Sequence, residues 1–208
     1  MKKQNIFLDL DGLKFDTLPA LALYMNDRYG LNSTALDYVN KGSSLELVLW
    51  DHRPDLKHIS RDAVYLEYGK NFASSIKYHE NVLPMKDMCE VVSSLSKKYT
   101  LYTVTARQKS GIHVIQYLLE KHIPKCITDI HCVWEHKNDN SFSMISKKDF
   151  IKTVSGKHAG FLDDSLHEVE DMQDFMPSYL FDPDGLYKNH KKRINRVETW
   201  KEIGDTFL

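Results

Sequence analysis

Residues 6–12 of the chain are Ile6-Phe7-Leu8-Asp9-Leu10-Asp11-Gly12. A short apolar run that ends at acidic residues predicts a buried strand with Asp9 at its carboxyl end. Asp11 follows two residues later, and Gly12 lets the chain turn so that both carboxylates converge above the sheet. The segment therefore predicts the first strand of an α/β sheet with acidic side chains at its edge.

Four further apolar runs follow the same pattern, at residues 99–105, 129–134, 158–162 and 179–181. Amphipathic helical patterns separate them, at residues 85–97, 110–121 and 148–154. Strands that alternate with helices in this way predict an open, Rossmann-like parallel sheet with helices on its faces. The fold class is therefore α/β.

One interval breaks the alternation, because residues 18–83 contain helical stretches at 18–29, 44–50 and 59–72 and no convincing strand. The interval leaves after the first strand and returns before the second. We therefore expect it above the carboxyl ends of the strands, where α/β proteins bind ligands. We divide the chain into a core, residues 1–17 and 84–208, and an inserted helical cap, residues 18–83.

The composition excludes several classes of function. Lys and Arg total 28 and Asp and Glu total 29, for a net charge of −1, so no global charge attracts nucleic acid or a membrane. Three cysteines, an odd number, favour a reducing compartment. The apolar run before Asp9 is too short for a signal peptide. We expect a cytoplasmic protein without nucleic-acid or membrane partners, and secretion by a signal-independent route stays open.

Four short segments carry the chemistry: Asp9 with Asp11, then 105–107 (Thr-Ala-Arg), Lys147, and 163–164 (Asp-Asp). Two like charges about 4 Å apart repel by roughly 1 kcal/mol in water and about 4 kcal/mol at an effective dielectric near 20. Clustered carboxylates therefore need a cation, and Mg²⁺ prefers oxygen ligands together with substrate phosphate. Phosphoryl chemistry follows, with Thr105 and Lys147 as further phosphate partners, although Lys148 competes with Lys147 as the site lysine.

The order of these segments resembles the four motifs of the haloacid dehalogenase-like (HAD) superfamily, most of whose members are Mg²⁺-dependent phosphatases. Residues 7–19, FLDLDGLKFDTLP, are similar to the usual opening "DLDGTLFDTLP". Leu13 replaces a usual Thr or Val, and Lys14 replaces a usual apolar residue. The resemblance spans about the whole chain and implies a HAD core with a cap.

Three shorter matches are similar to the 5′(3′)-deoxyribonucleotidase branch of the superfamily. They are residues 105–107, the pattern Lys147-x-Asp149-x-Ile151, and the closing Asn195-Arg196-Val197-x-x-Trp200.

The resemblance implies roles for the two acids of the first motif. Asp9 is expected to be the nucleophile that forms an aspartyl-phosphate. Asp11 is expected to protonate the leaving oxygen and then to activate water, which calls for a pKa raised by burial and acidic neighbours.

The resemblance also implies the ligands of the metal and the phosphate. Mg²⁺ is expected on the carboxylates of Asp9 and Asp163 and on the backbone carbonyl of Asp11, with Asp164 in support. Thr105, the amide of Ala106 and Lys147 are expected to hold the phosphate. Arg107, which follows directly, either supports the site or pairs with a surface acid.

The cap is rich in aromatic residues, namely Tyr24, Tyr29, Tyr38, Trp50, Tyr65, Tyr68, Phe72 and Tyr78. If one or two of these rings line a lid, they favour a planar leaving group. We therefore expect a phosphorylated small molecule such as a nucleotide, with a phosphotyrosyl protein as the alternative. A catalytically silent HAD-like binding protein is a second alternative. A phospho-accepting receiver domain is disfavoured because its acidic pair comes early in the chain.

Overall fold

The computed structural model describes residues 2–41, 44–136, 142–191 and 193–208. The strands are β1 (Asn5–Leu8), β2 (Phe15–Asp16), β3 (Leu83–Pro84), β4 (Thr100–Gln108), β5 (Asp129–His136), β6 (Phe142–Met144), β7 (His158–Asp163), β8 (Ser178–Phe181) and β9 (Asn195–Val197). The α-helices are α1 (Leu18–Tyr29), α2 (Ala35–Asn40), α3 (Leu45–His52), α4 (Arg61–Glu67), α5 (Ile76–His79), α6 (Met88–Lys98), α7 (Ile112–His122), α8 (Lys147–Thr153), α9 (Leu166–Met172) and α10 (Trp200–Phe207). A π-helical turn spans Tyr68–Phe72, and short 3₁₀ turns span Pro54–Leu56 and Lys109–Gly111.

The main sheet has the strand order β6-β5-β4-β1-β7-β8-β9. Six of its strands run parallel, and β6 pairs antiparallel with β5 at one edge. The predicted α/β class, a parallel sheet flanked by helices, is confirmed. Strand β1 lies in the centre, so the residues that follow it stand at the middle of the carboxyl edge.

Each face of the sheet is covered by helices, as the alternation of side chains along β1 requires. Ile6 and Leu8 belong to a cluster with buried residues of α6, α7 and α10. Phe7 points to the opposite face, where it packs with buried residues of α8 and α9. The two apolar layers fix the orientation of β1 and therefore the direction in which Asp9 leaves it.

Several elements were absent from the sequence-based prediction. Strands β2 and β3 form a two-residue antiparallel ribbon, through which the chain leaves for the helices of residues 18–79 and returns. The carboxyl-terminal strand β9 and helix α10 were also missed. The buried Trp200 of α10 donates from Nε1 to the carbonyl of Leu13, at 2.8 Å, and so ties this helix to the loop that follows Asp11.

Several predicted helices begin at other residues than expected, and for two of them the cause is local. Helix α6 begins at Met88 rather than at residue 85, because the ribbon strand β3 and the left-handed Asp87 occupy the residues before it. Helix α8 begins at Lys147 rather than at residue 148, because the Ser146 side chain caps it by accepting from the amide of Asp149.

The helices of residues 18–79, which we call the cap, share a hydrophobic core of their own. Its centre is formed by buried residues of α1, α2, α3 and α4 and of the π-helical turn. All eight aromatic residues singled out in the sequence belong to this cluster or pack against it. Most of these rings therefore stabilise the cap itself. Among the described residues, no helix is both long and apolar enough to cross a membrane.

The cap and the core approach closely at two glycines. A Cβ atom on Gly111 would lie 2.5 Å from the carbonyl oxygen of Ala73, which is a backbone atom. A Cβ atom on Gly69 would lie 2.0 Å from the amide nitrogen of Gln108, at the end of a flexible side chain. Rotation of the Gln108 side chain can make space for a methyl group at residue 69, whereas a methyl group at residue 111 requires the backbone to move.

We therefore predict that Gly111→Ala lowers the free energy of unfolding by about 1–3 kcal/mol, because backbone must move to admit the methyl group. Gly69→Ala serves as the matched control and should cost clearly less, since the Gln108 side chain can rotate away. Urea unfolding of both variants measures the difference. Equal costs would show that the contact at Ala73 is not rigid.

Candidate active site

Adjacent parallel strands bring Asp9 and Asp163 together. Residue 8 of β1 pairs with residue 162 of β7, and the amide of Asp9 donates to the carbonyl of Leu162 at 2.9 Å. The ammonium of Lys147 lies between the two carboxylates, with Nζ 2.7 Å from Asp9 Oδ1 and 2.6 Å from Asp163 Oδ2. All three side chains are buried. This bridge is the centre of the candidate site.

The beginning of helix α8 selects Lys147 over Lys148. With Ser146 as the capping residue, Lys147 is the first residue of the helix and points into the core. Lys148, about 100° further around the helix, instead reaches Asp171 at 3.0 Å near the surface. The two adjacent lysines therefore lie in different environments, and only Lys147 contacts the clustered acids.

A third acid completes a cluster suited to a cation. Asp9, Asp163 and Asp164 each offer a carboxylate oxygen, and these oxygens all lie within 4.8 Å of one another. Gly12 makes room for Asp164, since it adopts a positive φ of 69° and a Cβ atom there would lie 2.0 Å from Asp164 Oδ2. Three hard oxygen donors in one cluster fit Mg²⁺.

Burial and mutual repulsion raise the pKa values of the acids in this cluster. Burial raises the pKa of Asp9 to about 7, with Lys147 opposing the shift and Asp163 and Asp11 adding to it. Burial also raises the pKa of Asp163, and burial together with the charge of Asp163 raises that of Asp164 well above its ordinary value. Although burial acts against the charge of Lys147, its two acidic partners raise the pKa of the ammonium. Lys147 is therefore a permanent cation.

Asp11 faces away from this cluster and pairs with Arg107. The Arg107 guanidinium donates from Nε to Asp11 Oδ2 and from Nη2 to Asp11 Oδ1, both at 2.8 Å. Burial raises the pKa of Asp11, but the charge and hydrogen bonds of Arg107, with a hydrogen bond from Thr17, outweigh it and lower the pKa below its ordinary value. The expectation of a raised pKa for Asp11 is therefore wrong in this structure. Arg107 causes this lowering of the pKa, and it pairs with an acid of the site rather than with a surface acid.

Thr105 and Ala106 lie in the carboxyl-terminal half of β4, beyond its last pairing with β1 at Thr103. Thr105 is buried, and its hydroxyl accepts from the amide of Arg107 at 3.2 Å. The pairing of β4 with β5 is irregular between Thr105 and Gln108. The backbone around Ala106 therefore departs from regular strand pairing. It does so at the edge of the sheet where the acids at the ends of β1 and β7 also lie.

Sequence reasoning missed two residues near this site. Lys14 is fully buried, and its ammonium donates to the carbonyl of Leu8 at 2.9 Å and to the carbonyl of Asp9. The sequence contains one sign of this residue, because Lys14 places a charge where the HAD opening motif usually has an apolar residue. His79 lies at the end of α5 and is close enough for the charges of Arg107 and Asp11 to affect its pKa. No local pattern in the sequence marked His79 as a neighbour of the site.

Comparison with solved structures supports the α/β fold described above. No protein-family model and no curated protein matches the sequence. Solved structures do resemble it, among them a protein assigned as a phosphatase from Clostridium difficile, with a TM-score of 0.69, 15% identity and 100% of each chain covered. A haloacid dehalogenase-like hydrolase from Streptococcus pneumoniae, SP0104, has a TM-score of 0.65 and 16% identity over 99% of each chain.

A third similar structure contains a metal ion. The Bacillus subtilis protein YfnB, assigned as a HAD hydrolase and bound to magnesium, has a TM-score of 0.63 and 14% identity, with 100% of this chain and 99% of YfnB covered. The chain thus has the fold of HAD-superfamily hydrolases. At these identities the likeness concerns the fold.

The raised pKa of Asp9 predicts how stability depends on pH. The folded protein keeps this proton up to about pH 7, whereas an unfolded aspartate loses it near 3.8. The stability from the proton is therefore present at low pH and is lost as the pH rises from about 4 to 7, by at most about 1.4 kcal/mol per pH unit for one proton. Asp9→Asn should flatten this part of the profile.

Urea unfolding in the presence of a chelator, at several pH values, measures this effect. Asp174→Asn, which changes an exposed acid, is the matched control and should keep the wild-type slope. If Asp9→Asn and wild type gave parallel profiles, Asp9 would not be the group that retains the proton.

Proposed function

We propose that the protein is a Mg²⁺-dependent phosphomonoester hydrolase that acts through an aspartyl-phosphate on Asp9. The observation that carries the proposal is the buried bridge from Asp9 through Lys147 to Asp163, with Asp164 beside it. It combines a fixed cation with a set of hard oxygen donors at the carboxyl edge of a parallel sheet. This arrangement supports phosphoryl transfer, in which positioning and charge stabilisation supply most of the catalysis.

In the first half of the reaction, an oxygen of the Asp9 carboxylate attacks phosphorus and the bond to the leaving oxygen breaks. Lys147 holds Asp9 in place and neutralises charge that the phosphoryl group brings. Thr105 and the amide of Ala106 are the proposed partners of the remaining phosphate oxygens. In the second half, water attacks the phosphorus of the aspartyl-phosphate, which releases phosphate and restores Asp9.

Asp11 is the proposed proton carrier, and its pairing determines when it acts. As a carboxylate bound to Arg107, it is ready to take a proton from the attacking water. To protonate the leaving oxygen in the first half, it must first gain a proton, which requires that the hold of Arg107 on Asp11 weakens. A substrate phosphate, which is an anion close to Arg107, would compete for this guanidinium.

The acid cluster is the proposed metal site. Asp9 and Asp163 would hold Mg²⁺ with the backbone carbonyl of Asp11, and Asp164 would support them. The bound ion would supply charge to the phosphate oxygens and orient the phosphate for in-line attack. If all groups were ionised, the four site acids would outnumber the buried cations Lys14, Lys147 and Arg107 by one. A divalent ion would offset this excess of negative charge.

For the substrate, we propose a phosphorylated small molecule with a planar group, of which a nucleotide is the leading example. Of the aromatic residues of the cap, Phe72 lies below the Arg107 guanidinium, with 5.9 Å from Cζ to the ring centroid, and Tyr68 packs on Phe72 at 5.2 Å. Phe72 is buried, so the half-buried Tyr68 is the ring of this pair that would contact a planar partner beside the site. The shorter motif matches favour a nucleotide over a phosphotyrosyl protein.

We predict that Asp9→Asn abolishes hydrolysis of p-nitrophenyl phosphate, because the amide is a poor nucleophile and a weaker metal ligand, while its similar shape preserves the fold. Activity of the wild type should disappear with excess chelator and return with Mg²⁺. Circular dichroism of the variant tests that it is folded. Full activity in Asp9→Asn would contradict the mechanism, and an inactive wild type with Mg²⁺ would favour the silent binding protein.

We also predict that Lys147→Met lowers kcat by about 10²-fold or more, since it removes the charge that the transition state requires. Lys148→Met is the matched control, one residue away on the same helix, and should leave kcat within about twofold because Lys148 pairs near the surface with Asp171. The opposite ranking would place the functional ammonium on Lys148.

A further inference from the structure

Two polar atoms beside the site are buried without a hydrogen-bond partner in the described part of the chain. They are Nη1 of Arg107 and Nε2 of His79. Arg107 is 2% exposed and His79 is fully buried. An unpaired buried donor or acceptor costs roughly 1–3 kcal/mol, so a native site that keeps two of them invites a functional explanation.

The two atoms have complementary roles in hydrogen bonding. Nδ1 of His79 lies 2.8 Å from the carbonyl oxygen of Ser75, which can only accept, so Nδ1 carries the ring hydrogen. Burial, aided by the charge of Arg107, lowers the pKa of His79 to about 4, and the ring is neutral near pH 7. Nε2 is therefore an acceptor, whereas Nη1 of Arg107 is a donor.

Both groups border the same aromatic ring. The His79 ring lies 4.6 Å from the Phe72 ring, and the Arg107 guanidinium lies 5.9 Å from it. Arg107 also holds Asp11 through its other two nitrogens. The edge formed by Nε and Nη2 faces Asp11, so the unpaired Nη1 projects from the opposite side of the planar guanidinium, one group away from the carboxylate that is proposed to serve the leaving oxygen.

We infer that Arg107 Nη1 and His79 Nε2 form a subsite for a hydroxyl group on the leaving group of the substrate. This inference rests on the proposed function and narrows its substrate class. A hydroxyl both accepts and donates, so it can take a hydrogen bond from Nη1 and give one to Nε2.

Other chemical groups satisfy the pair less well. A carboxylate only accepts, so it would leave Nε2 unpaired and place a negative charge against its lone pair. An ammonium only donates, and the charge of Arg107 repels it. A phenyl ring without a hydroxyl group, such as that of phosphotyrosine, pairs with neither atom. A sugar or polyol phosphate, including the sugar of a nucleotide, carries the required hydroxyl.

The test compares phosphomonoesters that differ in hydroxyl content. The first pair is 2′-deoxyadenosine 5′-monophosphate and its 2′,3′-dideoxy analogue, which differ by one hydroxyl. The second pair is sn-glycerol 3-phosphate and propyl phosphate, which lack a base. For each pair, kcat/KM is measured with Mg²⁺ in wild type, His79→Phe, His79→Gln and His113→Phe. Since His113 is an exposed histidine on α7, it provides the matched control.

In wild type we expect the hydroxylated ester to be favoured in at least one pair, by about tenfold or more. His79→Phe should remove most of this preference, because it slows the hydroxylated ester more than the ester without the hydroxyl. His79→Gln, which keeps an acceptor, should recover part of the preference, and His113→Phe should match wild type. Equal specificity constants in wild type for both pairs, or an unchanged preference in His79→Phe, would overturn the subsite.

Binding to Asp9→Asn protein, measured by calorimetry with Mg²⁺ and the same esters, provides a readout that does not need turnover. If wild type hydrolyses none of the esters, the proposed reaction fails. Binding still tests the subsite in that case, because the hydroxylated ester should bind more tightly to Asp9→Asn and should lose this advantage in Asp9→Asn/His79→Phe. Equal binding of both members of each pair would overturn the subsite.

Discussion

The ammonium of Lys147, buried between Asp9 and Asp163, is the interaction on which the rest of the site depends. Two buried carboxylates on adjacent strands would repel each other strongly without it, and removal of one partner from a buried ion pair costs roughly 3–5 kcal/mol. The ammonium reaches this position because Ser146 caps helix α8, which makes Lys147 rather than Lys148 the first residue of the helix. A single helix cap thus connects local sequence to the electrostatics of the whole edge of the sheet.

A second ion pair, between Arg107 and Asp11, shifts the pKa of Asp11 in the direction opposite to that of the other acids of the site. Burial raises the pKa values of Asp9 and Asp164, whereas Arg107 lowers that of Asp11. Carboxyl groups that are close in space, but whose pKa values are driven apart, can take different parts in proton transfer. In this structure the separation depends on which cation each acid contacts. The pairing also implies that the charge state of Asp11 changes when Arg107 finds another anion.

Arg107 also connects the core to the cap. Its guanidinium contacts Asp11 on the core and lies over Phe72 of the π-helical turn, and His79 packs against the same ring. Single π-helical turns are frequent at functional sites. Here the turn places aromatic and polar groups of the cap where a leaving group would meet the proposed proton carrier. Recognition of the leaving group and proton transfer would therefore share one residue.

The sequence by itself determined the sheet and the acids at its edge. Short apolar runs become buried parallel strands, and the residues after such strands must share one edge, so Asp9 and Asp163 were predictable neighbours. Short elements such as the β2–β3 ribbon and β9 lack a periodic pattern and were missed. Only the tertiary structure decided that Lys147 bridges the acids, that Arg107 binds Asp11 and that His79 lies beside them. These contacts join residues far apart in the chain, and their geometry depends on how the helices pack.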